Sequence, residues 1–299
     1  MVPDAEFTSY YGRPVLKEPV WHVPEIPGYL FLGGLAGASS VLAAGAQLRG
    51  CPDLARGAKV GAAGAIGLAA AALIHDLGRP ARFVNMLRVF KPSSPMSVGS
   101  WLLAGYAPAA GAAAVCAVTG ILPRAGAAAT AAAAALGPGV CTYTAALICD
   151  TAVPAWHDGY REMPYLFAGS AASAAGGLGL LAAPSAQAGP ARRLAVLGAA
   201  AEITSAQLLT RRIGATAEPY RSGRAGLALR ASEIASACAL GVAFIGRRHR
   251  AATALAGLTL LAASATTRFA IFDAGRASAR DPKYTIVPQR ERLTERSRT

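Results

Sequence analysis

The chain has 299 residues, of which 54% are hydrophobic and only 15% charged, and its mean hydropathy is +0.38. A soluble domain of this size carries about a quarter charged residues, so the deficit points to lipid as the solvent. The net charge of +13 would suggest nucleic acid in a soluble protein. Here the arginines lie between apolar runs and in the tail, where they meet headgroups, and no basic patch is interleaved with aromatics. Aromatic residues are sparse at 7%, while Ala and Gly fill the apolar runs, as in membrane bundles whose helices approach closely.

A helix crosses the hydrocarbon core with about 20 apolar residues. In chain order, eight segments qualify: Gly28–Leu48, Ala58–Ile74, Val98–Leu122, Ala125–Cys149, Pro164–Ala183, Leu194–Thr210, Leu227–Ile245 and Ala251–Phe272. Gly137-Pro138-Gly139 interrupts the fourth, a break that neighbouring helices or water must satisfy. The expected fold is therefore an all-α, polytopic integral membrane bundle of eight transmembrane helices. Residues 1–27 form an extramembrane segment, 28–273 the membrane domain and 274–299 a basic tail. The polar opening segment, with its prolines and acids, does not read as a cleavable signal peptide.

Eight spans place both termini on one side, face A, together with the loops after the second, fourth and sixth spans. Face A then collects His22, His75, His157, Trp21, Asp76, Arg79, Asp150, Trp156 and Asp158, while His249 falls on face B. Polar chemistry gathers at one mouth rather than through the depth of a pore. The tail carries most of the face-A excess of Lys and Arg, so the positive-inside rule does not fix the orientation.

Five cysteines, Cys51, Cys116, Cys141, Cys149 and Cys238, show no C-x-x-C spacing and read as small buried hydrophobes, so no metal is expected. The densest polar signal runs from His75-Asp76-Leu77-Gly78-Arg79-Pro80 through Arg82, Phe83 and Arg88 to Lys91-Pro92-Ser93-Ser94-Pro95-Met96-Ser97. Phe83, Met86, Leu87 and Phe90 against Arg82, Asn85, Arg88 and Lys91 read as an interfacial amphipathic helix. An Asp at the hydrocarbon boundary is costly and is paired or functional.

Tyr11-Gly12-Arg13-Pro14, Trp21-His22 with Gly33-Gly34, the D-L-G-R-P-x-R-F run from Asp76 to Phe83, Ser97 to Trp101, and Tyr143-Thr144 together resemble the NrfD/polysulfide-reductase membrane-subunit family. With eight spans the resemblance covers most of the chain. It implies a quinone-binding membrane anchor of a multi-subunit oxidoreductase, in the bacterial inner membrane. Electrons would pass between a ferredoxin-like iron–sulfur subunit, itself joined to a molybdopterin or similar catalytic subunit, and menaquinone or another quinone. It also implies a haem-free chain, in agreement with the absence of paired mid-helix histidines.

On this resemblance His22, Tyr143 and Arg79 would hold the quinone. Asp76 and Asp150 would relay protons, with Arg79 pairing Asp76. Arg82, Arg88 and Lys91 would dock the iron–sulfur partner. Glu202, Glu233 and Arg268, charged residues within apolar spans, are candidates for a proton path or for structural pairing. Two other readings stand beside this one: a passive anchor without quinone chemistry, and an ion- or proton-conducting transporter, whose polar groups should lie at the midplane of an inverted repeat. The sequence shows no clear internal repeat.

Overall fold

Proline opens most of the long helices, because its missing N–H falls where the first turn has no acceptor anyway. In a computed structural model that describes residues 15–78, 81–246 and 249–296, the chain is helical and the described residues contain no strand. The long helices are α1 (Glu25–Leu48), α2 (Pro52–Asp76), α4 (Pro95–Thr119), α5 (Pro123–Cys149), α7 (Met163–Ala182), α8 (Gly189–Arg212), α10 (Gly223–Ile245) and α11 (Arg250–Arg280). Short α3 (Ala81–Met86), α6 (Pro154–Asp158), a 3₁₀ turn (Gly214–Ala217), α9 (Glu218–Arg221) and the tail helix α12 (Lys283–Arg296) complete the described chain.

Seven of these helices are long and apolar enough to cross a membrane. The expected sixth span, Leu194–Thr210, lies inside α8, which has the length but is not among the seven, since Glu202, Gln207 and its terminal arginines make it less apolar. The Gly-Pro-Gly interruption does not break α5: Pro138 lies inside the helix, and Thr142 Oγ1 donates to the Pro138 carbonyl at 2.9 Å. The last span continues beyond Phe272 to Arg280, and the basic tail forms α12.

Packing divides the long helices into two groups of four. In the first, α1, α2, α4 and α5 touch in cyclic order; in the second, α7, α8, α10 and α11 do the same, and α1 and α5 join them along α7. Glycine permits the closest crossings. A Cβ on Gly37 would collide with the Gly137 carbonyl where α1 meets α5, and one on Gly257 with the Gly177 carbonyl where α11 meets α7. Without a hydrophobic drive between helices in lipid, such backbone approach supplies the packing energy. Large apolar side chains such as Leu68, Val115, Leu197, Ile234 and Leu255 are left exposed outward, as a lipid-facing surface requires.

Face B shows what its arginines do. The last carbonyls of a helix lack intrahelical donors and carry partial negative charge. Arg56 donates to Ala117 and Val118 of α4, Arg192 to Ala243 of α10, and Arg250 to Leu180 and Leu181 of α7. Each cation thus caps the end of a neighbouring helix.

Candidate functional site

At the face-A mouth of the first helix group lies a pocket of about 190 Å³. Its polar lining comes from Tyr29 of α1, Asp76 of α2, Arg82 of α3, Ser100 of α4 and Tyr143 of α5. Leu30, Leu73, Leu103, Ile148 and Trp21 make most of the rest apolar, while Met86 and Met96 form its side toward α3. A concave, mostly apolar site with a few convergent polar groups is the usual form of a small-molecule site.

Tyr143 is buried, and its phenol oxygen meets no hydrogen-bond partner among the described residues. Its ring lies against Gly99, where any Cβ would collide with it, so the sequence has cleared α4 to admit it. An unsatisfied buried hydroxyl costs roughly 1–3 kcal/mol. A ligand accepting from it would recover that cost.

Asp76 ends α2 with its carboxyl largely enclosed. His22 Nδ1 stands 2.9 Å from Asp76 Oδ1, and the His22 backbone N–H donates to the same oxygen at 3.2 Å. His75 Nδ1 stands 3.3 Å from Glu25 Oε1. Two crossed His–carboxylate pairs therefore tie the entry of α1 to the exit of α2. His22 is exposed at the rim and reaches the pocket through Asp76 rather than lining it. Arg79, expected as the partner of Asp76, lies outside the described residues, as does Tyr11-Gly12-Arg13-Pro14; the ionic partner the structure gives Asp76 is His22.

The other expected residues are distributed more widely. Asp150 caps α5, exposed, and does not line the pocket. Arg82 lines it and donates to the Leu77 carbonyl at 3.4 Å, while Arg88 and Lys91 are exposed on the following loop. Ser97 Oγ pins that loop by donating to Val89 and accepting from the Lys91 N–H, both at 3.0 Å.

Glu202 and Arg268 are buried inside the second helix group. Glu202 Oε1 accepts from Thr267 at 2.7 Å, Thr267 lies 3.0 Å from Ser232, and Ser170 bonds Ser264 at 2.8 Å. Arg268 stacks 3.7 Å over the Phe167 ring and donates to the Phe167 carbonyl at 2.6 Å. Its Nε and Nη1, and Glu202 Oε2, have no partner among the described residues. Glu233 is half-buried on α10 and makes no bond in this network.

Outside the membrane helices, α6, the 3₁₀ turn and α9 close the second group on face A. Trp156 is fully buried between Trp21 and Phe272, and its indole N–H donates to Ile271 at 2.8 Å. Arg212 grips both oxygens of Glu162 at 2.6 Å, which holds that carboxyl below the ordinary carboxylate range. Arg280 and Arg276 do the same for Glu18, fastening the N-terminal lead to the end of α11. Sequence reasoning missed Tyr29, Ser100 and the Ser–Thr partners of Glu202. Tyr29 is seven residues from His22 and Ser100 follows the Ser-Pro-Met-Ser run, but neither type is distinctive in an apolar helix.

These features define a helical, multi-pass membrane protein with a mostly apolar pocket at one mouth. Residues 14–210 match the family model described as polysulphide reductase, NrfD, and the chain belongs to that family. No curated protein matches the chain.

Proposed function

We propose that the chain is the quinone-reactive membrane subunit of a multi-subunit oxidoreductase, with the pocket between α1, α2, α4 and α5 holding the quinone headgroup. The unpartnered Tyr143 phenol carries this reading: a carbonyl oxygen of the headgroup is an acceptor of the kind it lacks. Tyr29 would serve the second oxygen, since Ser100 already donates its hydroxyl to the Met96 carbonyl, and the Met86–Met96 side would pass the isoprenoid tail to lipid, since methionine adapts to irregular apolar shapes. Quinone reduction takes two electrons and two protons. The electrons would come from a ferredoxin-like iron–sulfur subunit, linked to a molybdopterin or similar catalytic subunit, docked over Arg82, Arg88 and Lys91. Protons would reach the headgroup through the Asp76–His22 pair, the carboxylate on the pocket wall and the imidazole in water. Asp150 is a relay candidate only at the outer edge, because it lies off the pocket. In this reading α8 is an eighth span, its Glu202 sheltered inside the helix group, and the membrane is a bacterial inner membrane with menaquinone or another quinone as the substrate.

Tyr143→Phe tests the site. Quinone-coupled turnover is expected to fall roughly tenfold, from loss of about one hydrogen bond, while the complex assembles and Lys91 still crosslinks to the iron–sulfur partner. Unchanged turnover and quinone affinity would reject the assignment.

A second reading, proton conduction through Glu202, Arg268 and Glu233, is favoured by one observation. Buried Glu202 Oε2 and Arg268 Nε and Nη1 have unmet bonding capacity, which internal water can satisfy. In proteoliposomes of the complex, Glu202→Gln is expected to abolish proton translocation beyond the uptake that quinone reduction itself requires. Translocation retained in the variant would leave the cluster as a structural pairing.

A further inference from the structure

A second pocket, of about 340 Å³, opens at the opposite end of the first helix group, where α1 turns into α2 beside the end of α4. Its lining includes Gln47, Gly50, Cys51, Asp53, Arg56, Lys59 and Ala117. Lys59 is half-buried and lies seven residues into α2, about 10 Å from the helix start. An ammonium at that depth avoids hydrocarbon by reaching toward the interface. It reaches into this pocket, where it donates to Gln47 Oε1 at 2.6 Å. One bond leaves an ammonium with donors to spare.

One turn earlier Arg56 commits Nε and Nη2 to the α4 carbonyls, and its Nη1 meets no acceptor among the described residues. Asp53 supplies the counter-charge, but Gln187 holds it: Gln187 Nε2 donates to Asp53 Oδ2 at 2.8 Å, and its Oε1 accepts the Asp53 N–H at 2.9 Å. Two cations therefore face one carboxylate that is already engaged. Beside the pocket, the exposed side chains Val60, Val115, Val118 and Ile121 continue an apolar surface toward the membrane.

We propose that this pocket binds the phosphate of an anionic phospholipid, with Lys59 and the free end of Arg56 as donors and the acyl chains along the outer side of α4. The ligand is a lipid rather than free phosphate, because the phosphate-binding cations adjoin lipid-facing apolar surface. Basic pockets between membrane helices recognise headgroups in this manner. The site lies at the other end of the helices from the proposed quinone pocket, so it stands whether or not that reading does.

The test is thermal unfolding of the full chain in mild detergent with short-chain phosphatidylglycerol, or with inorganic phosphate. A ligand that binds only the folded state raises the midpoint in proportion to its occupancy. Phosphatidylglycerol is expected to raise the wild-type midpoint by several degrees, Lys59→Gln to lose most of that shift and Lys59→Arg to keep it, and phosphate to do nothing. Equal shifts in wild type and Lys59→Gln, or a shift reproduced by phosphate, overturn the proposal. A photoactivatable phosphatidylglycerol provides a measurement on the unaltered chain. Labelling of the Gln47–Lys59 segment supports the site; labelling confined to other segments overturns it.

Discussion

Trp156→Ala is expected to be the most destabilising single truncation in the extramembrane cap, at about 3–5 kcal/mol, the range for removing a buried large aromatic. The side chain is fully buried, with ring centroids 5.7 Å from Trp21 and 5.6 Å from Phe272. Gly275 on α11 exists in that form to admit it: any Cβ there would overlap the indole. Its N–H also bonds the Ile271 carbonyl, so truncation leaves a cavity and removes a buried hydrogen bond. The effect also spreads, because Trp21 stacks on Trp156 and lines the proposed quinone pocket. A drop in thermal midpoint together with weakened quinone affinity is the expected pair of results, and Trp156→Phe, which keeps a ring but not the donor, should fall between. An unchanged midpoint in Trp156→Ala would mean that the cap is not held through this residue.

The cap gives the two helix groups different roles although they share a cyclic order. In the first, the face-A mouth is left open between α1, α2, α4 and α5, and the polar residues line a pocket. In the second, α6, the 3₁₀ turn and α9 cover that mouth, with Trp156 and Tyr220 buried beneath, the latter donating to Ala155 at 3.1 Å. Buried polar residues of the second group are accordingly deeper, on α7, α8, α10 and α11, with Glu202 enclosed by Ser and Thr hydroxyls. Both groups run in the same sense if α8 crosses, because α1 and α7 each enter from face A. A transporter built on inverted repeats would pair its halves in opposite senses.

Much of this was legible in the sequence. Runs of about 20 apolar residues locate spans directly, because lipid leaves the backbone no alternative to a helix. The seven candidate spans coincide with seven of the eight expected segments, and α8 differs because Glu202, Gln207 and its terminal arginines lower its hydropathy, although Glu202 is buried among neighbouring helices. Grouping Trp21, His22, Asp76 and Asp150 on one face followed from parity alone. Which of them touch did not: the crossed pairs His22–Asp76 and His75–Glu25 depend on how α1 and α2 are rotated against each other, which the apolar runs do not mark. Tyr29 was invisible for the same reason, as one more aromatic in an apolar run until packing turned it into the pocket.

Asp76→Asn is expected to slow quinone-coupled turnover on the order of 100-fold, within the span for losing a positioned acid–base group. The substitution is nearly isosteric, and the amide oxygen can still accept the His22 backbone N–H that the carboxylate accepts at 3.2 Å. Helix α2 and the lead segment should therefore hold their places. What disappears is the charge that pairs with His22 at 2.9 Å and the capacity to take and return a proton at the pocket wall. Assays of the assembled complex separate these roles. Activity measured at the partner subunits with an artificial electron carrier should match the wild type, while turnover through quinone should not, and Asp76→Glu should recover part of it. His22→Gln should give a smaller loss, since water at the exposed rim can substitute for the imidazole but nothing in the described pocket replaces the carboxylate. If Asp76→Asn instead lowers both activities through failed assembly while Asp76→Glu restores both without altering their ratio, the carboxylate serves only to fasten α1 to α2, and the protons for the quinone enter by another route.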